Sequence, residues 1–205
     1  MNEIPEKVRS FLKGASDATQ PQQSRFRCRI FGSEWNAFVE EWATKSFIFV
    51  GHALGPYGRQ PLPEILPLPD GMHSAGATAS FDMNSGQMCL SSSVEGKVGQ
   101  TLEKLTHELT HASLAQFPEG DPFYEESVVD YSVWVMAHAP LWGEHRDPMI
   151  DAASFNIRMR RDRALHTHTD YDAKRWMGGL FASLTYGPYI ISRLRMKKQS
   201  GDYSW

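Results

Sequence analysis

His107, Glu108 and His111 are the residues of this chain whose types and spacing can do chemistry. They put two imidazoles four positions apart, with a carboxylate between them, in the run His107-Glu108-Leu109-Thr110-His111. Four residues advance an α-helix by slightly more than one turn, so both rings leave the same face. Imidazoles so placed can close on one Zn²⁺, and the carboxylate can act as general base on a metal-coordinated water. The HExxH pattern also arises in helices that bind nothing, so the elements around it have to present it in a usable way.

The stretch from Lys97 to Gln116 is rich in Leu, Glu, Lys and Ala and is followed by Pro118 and Gly120, which predicts one helix. Val98, Leu102, Leu105, Leu109 and Ala112 form one apolar stripe at helical period. At about 100° per residue, His107 and His111 fall roughly opposite that stripe. One face is then expected to enter the core while the other presents the imidazoles and Glu108 to a neighbouring element.

A catalytic zinc site needs three protein ligands and an open position for water. The extended metzincin pattern, with Gly and His soon after the motif, is excluded by Ala112-Ser113-Leu114-Ala115-Gln116-Phe117. Downstream, Tyr124 to Ala137 predicts a second helix ended by Pro140, on which Glu126, Asp130, Val133 and Ala137 share a face. Glu125 and Glu126 both suit a helix N-terminus, where acids interact favourably with the dipole. Here the sequence resembles the gluzincins, zinc peptidases with HExxH on one helix and a glutamate ligand on the next. In their thermolysin-like branch an aspartate follows four residues after that glutamate, and Glu126 and Asp130 fit the Glu-x-x-x-Asp pattern. The run from Glu126 to Tyr131 is also similar to the Glu-Gly-x-Ala-x-Tyr element of gluzincin aminopeptidases, with Ser127 in place of the glycine. The resemblance implies one Zn²⁺ per chain held by His107, His111 and Glu126, with Asp130 behind a ligand imidazole. A carboxylate in that place fixes the ring's tautomer and raises its basicity.

Gluzincins commonly use a downstream His or Tyr to stabilise the oxyanion, and His166, His168 and Tyr171 are the candidates between the later helices. No family motif aligns them. His52, His73, His138 and His145 have no such context and are taken as ordinary. Asn84-Ser85-Gly86, between Thr78–Asp82 and Gln87–Ser91, signals a hairpin directly before the HExxH helix. In gluzincins a sheet edge at that position takes the substrate as an added strand, so a peptide or protein substrate in extended form is the implied partner.

At 205 residues, with 41% hydrophobic and 22% charged residues, the chain suits one globular domain that buries a core without staples. Cys28 and Cys89 are the only cysteines, which offers no disulfide framework or cysteine-rich metal site. Behind a net charge of −3, Arg158 to Lys198 carries ten Lys and Arg against three Asp. Such a region could meet an acidic partner, an anionic membrane or nucleic acid, but it reads more simply as solvated helix faces, and nucleic acid is not the expected partner. The opening stretch MNEIPEKVRSFLKG has no apolar signal core and no run reaches 18 apolar residues, so no transmembrane segment is expected. The expected location is cytoplasmic, with export as a bacterial effector the alternative.

Pro5 to Lys13 predicts a short helix stopped at Gly14, and the linker-like composition of residues 16–24 makes residues 1–24 a mobile segment, with one compact domain over 25–205. Arg25 to Phe31 alternates like a strand. Ser33 can cap a helix to about Thr44, and Phe47 to Val50 reads as a short strand. Residues 51–76 read as an extended Gly- and Pro-containing loop, and three helices are expected over 151–165, 171–184 and 188–198. The expected fold is α+β and zincin-like: a small mixed N-terminal sheet, a hairpin before the active-site helix, and a mainly helical C-terminal half. The expected function is zinc-dependent peptide hydrolysis. Its rival is a zincin-fold binding or regulatory protein that works through its basic C-terminal helices and cleaves nothing.

Overall fold

The computed structural model describes residues 3–20, 23–74, 77–117, 126–166, 177, 180–181 and 184–201. The chain is α+β, mostly helical, with one small mixed sheet. Its elements are α1 (Glu6–Asp17), β1 (Arg27–Cys28), α2 (Ser33–Leu54), β2 (Glu64–Pro67), α3 (Asp70–Ser74), β3 (Ala79–Phe81), β4 (Met88–Leu90), α4 (Val98–Leu114), α5 (Glu126–Met136), α6 (Arg146–His166) and α7 (Ile190–Ser200).

The sheet runs in the order β1-β2-β4-β3, with β1, β2 and β4 parallel and β3 antiparallel to β4 at the edge. The expected hairpin is β3 and β4. Its turn is held by Asp82, whose Oδ1 accepts the Asn84 amide and whose Oδ2 accepts the Ser85 hydroxyl at 2.6 Å. Gly86 closes the turn at φ 82°, a conformation that costs a glycine nothing. The strand expected over Arg25–Phe31 shrinks to two paired residues. The loop expected over 51–76 instead contains β2 and α3, because Ile65, fully buried, gives that stretch an anchor between β1 and β4.

Three further boundaries differ from expectation. The Phe47–Val50 strand is the second half of α2, which continues without a break until Gly55 at φ 88°. A short all-apolar run carries no period of its own, and burial of Phe49, Val50, Ala53 and Leu54 on a continuing helix decides it. The N-terminal helix runs past Gly14 to Asp17, and its apolar face is packed. Ile4, Val8, Leu12 and Ala15 are buried, and the Ser16 hydroxyl accepts the Leu141 amide. α6 begins at Arg146, five residues before the expected start, and the expected 171–184 helix lies largely outside the described residues.

α4 is the central element, packed by α2, α5, α6 and β3. The predicted stripe holds, with Leu102, Leu105, Leu109 and Ala112 fully buried. Its other faces are buried as well, so the polar side chains there need internal partners. Thr106 and Thr110 donate their hydroxyls to carbonyls one turn back, at 2.8 and 2.7 Å. At Gly99 the helix meets α6: a Cβ there would stand 2.2 Å from the Pro148 carbonyl oxygen. The missing side chain lets the two helices approach closely, which sets α6 beside the HExxH face.

Candidate metal centre

The site is built where α4, α5 and α6 meet. From α4, His107 and His111 turn their Nε2 atoms toward each other, 3.1 Å apart. From α5, Glu126 faces both, with Oε2 3.3 Å from His107 Nε2 and Oε1 3.1 Å from His111 Nε2. Donor atoms about 2.0–2.1 Å from a tetrahedral zinc lie roughly 3.3–3.4 Å from one another. The observed spacings are close to the edges of such a tetrahedron, so these three side chains could hold one metal ion of that size.

Asp130, one turn along α5, completes the arrangement: its Oδ1 lies 3.1 Å from His107 Nδ1, on the far side of the ring from Glu126. A hydrogen on Nδ1 leaves Nε2 with its lone pair toward the other donors, as metal coordination requires. Burial opposes charge on His107, but contact with Asp130 and Glu126 prevails and holds its pKa up to about 10. The carboxyls respond in the opposite sense. Burial would raise Glu126, but the charge of His111 and the hydrogen bonds of His107 and His111 hold it well below the usual range, and Asp130 is lowered by His107 and Arg160. Glu108 is buried and raised, because desolvation outweighs the nearby histidines. A carboxylate shifted toward neutrality is better matched to taking and returning a proton.

Three residues at this site were not singled out in the sequence. Arg160 reaches in from α6, its Nη2 3.1 Å from Glu126 Oε2 and its Nε hydrogen-bonded to Asp130 Oδ2. Glu103, one turn before His107 and almost wholly buried, has Oε1 3.8 Å from His107 Nδ1 and Oε2 3.1 Å from Lys104 Nζ. The i, i+4 relation of Glu103 to His107 was visible in the chain. Arg160 was hidden among basic residues that read as a solvated face, and only the packing of α6 brings it to the carboxylates of Glu126 and buried Asp130.

The charges can be counted among the described residues. Glu103, Glu108, Glu126 and Asp130 bring four carboxylates, and Lys104 and Arg160 bring two cations. Metal ligation would require both imidazoles neutral, and the cluster would then lack two positive charges, the charge of one divalent ion. Glu103, His107 Nδ1 and Asp130 also lie close enough to suggest a cation site. Lys104 and Arg160 already occupy that side, so the group of His107, His111 and Glu126 is the one suited to a metal.

His166 is the exposed last residue of α6, six positions beyond Arg160 and therefore about 9 Å further along the helix. It is not brought to the cluster. His168 and Tyr171 lie outside the described residues, as does Glu125. Much of the C-terminal basic charge has internal work: Arg195 donates to the His52 carbonyl at 2.5 Å, and Lys198 to Pro56 O at 2.5 Å and Ser113 Oγ at 2.6 Å. No described helix is long and apolar enough to cross a membrane.

Comparison with protein-family models, with curated proteins and with solved structures finds no match to this chain.

Proposed function

We propose that this chain is a zinc-dependent metallopeptidase of gluzincin type with a zincin-like fold. The observation that carries the proposal is the convergence of His107 Nε2, His111 Nε2 and the Glu126 carboxylate at 3.1–3.3 Å. Asp130 behind His107 and Glu108 on the same turn support it. Zinc, when bound, supplies Lewis acidity that lowers the pKa of a water and polarises a peptide carbonyl.

The chain's own groups do the rest. Glu108 takes the proton of the attacking water and returns it to the leaving amine. Asp130 holds the His107 ring in the tautomer that presents Nε2. The β3 edge, antiparallel to β4 and packed on α4, offers backbone groups to an extended peptide. A purely structural metal site needs no buried carboxylate such as Glu108, which favours hydrolysis over the binding-protein alternative.

The test is metal content together with cleavage of an unfolded protein such as casein. About one zinc per chain, with cleavage abolished by chelation, is the expected result. Stoichiometry near zero after zinc supplementation would remove the proposal, and zinc without any hydrolysis would turn it into the binding-protein reading.

A further inference from the structure

Both oxygens of Glu126 face the histidine pair, Oε1 toward His111 and Oε2 toward His107. Nothing in that geometry alone chooses between ligation through one oxygen and through two. The choice matters, because a second bound oxygen would take up the room intended for water. Arg160 breaks the symmetry. Its planar guanidinium forks across α5, with Nη2 on Glu126 Oε2 and Nε on Asp130 Oδ2, and Asp130 in turn backs His107.

We infer that Arg160 is a positioning residue that makes Glu126 a one-oxygen ligand, through Oε1, and so keeps a coordination position open. This rests on the metal centre proposed above. Arg160 acts by engaging Oε2 in a charge-assisted hydrogen bond, so that this oxygen's lone pairs are shared with the guanidinium while Oε1 faces His111. The guanidinium itself stays charged throughout. The two-pronged contact also ties the third ligand to the support of the first, so one side chain of α6 sets both. A lysine could neutralise one carboxylate but could not fork to both.

The visible spectrum of the cobalt-substituted protein reads the coordination number directly. Wild-type protein loaded with Co²⁺ should show the intense absorption of four-coordinate cobalt. In Arg160→Gln, with Glu126 free to bind through both oxygens, the absorption per cobalt should fall severalfold, and Arg160→Lys should behave similarly. Identical spectra in folded wild-type and Arg160→Gln protein would overturn the inference. Should neither variant fold, a crystal structure of the zinc-loaded wild-type protein decides: Oε2 turned to Arg160 supports it, and both oxygens on the metal overturn it. Failure of the wild-type chain to bind Co²⁺ or Zn²⁺ would instead sink the proposed function itself.

Discussion

Asp130 and His107 stand with Oδ1 and Nδ1 3.1 Å apart, which places a carboxylate of α5 behind the imidazole of α4 whose other nitrogen faces Glu126. In the proposed site the aspartate would therefore act on a metal ligand without reaching the metal. Asp130→Asn keeps the shape and loses the charge. It should weaken zinc binding by about 10–100-fold, measured by competition with a chromophoric chelator. Unchanged affinity in a folded variant would show that this contact does not matter to the site.

Glu126→Ala removes one of three proposed ligands and should nearly abolish zinc binding. Glu125→Ala should leave it intact, because Glu126 already supplies the carboxylate that faces the histidines. The measurement is zinc retained after dialysis. Retention by Glu126→Ala together with loss by Glu125→Ala would mean that the register is wrong.

Glu108→Gln should keep the metal and lose hydrolysis by on the order of 10²–10⁴, since an amide cannot accept the water's proton. Peptidase assays on protein of verified zinc content check this. A metal-loaded variant that turns over at nearly the wild-type rate would take Glu108 out of the mechanism.

Gly99→Ala should destabilise the fold by about 1–3 kcal/mol, the usual range for forcing extra atoms into a packed core. Its Cβ meets the backbone of Pro148, 2.2 Å from the carbonyl oxygen, which cannot rotate away as a side chain would. Urea unfolding of the metal-free protein gives the number. A stability equal to wild type would mean that α4 and α6 can separate without cost.

Burial pushes the Lys198 amine down to about 8 from its ordinary 10.5. Between those values the unfolded chain binds more protons than the folded one, so this residue makes stability rise with pH across that window. Lys198→Met should flatten the rise relative to wild type. Denaturation midpoints at about pH 7 and about pH 10 test it, and an equal slope in both proteins would count against the burial effect.

The chain by itself determined the local part of this architecture. HExxH placed both imidazoles on one helix face, the leucine stripe gave that helix a buried side, and Asn84-Ser85-Gly86 set the hairpin. Each of these depends on spacings of a few residues, where backbone geometry alone decides what meets what. Segments without a period were misread for the same reason. Phe47–Val50 suits a strand or a buried helix equally, and β2 shows no alternation because its register comes from β1 and β4 on either side. The pairing of Glu126 with His111, and of Arg160 with Glu126 and Asp130, was decided only by the tertiary structure. Arg160 is 34 positions from Glu126. A contact over such a separation depends on how α6 crosses α4, and that crossing is set by the close approach at Gly99 and Pro148.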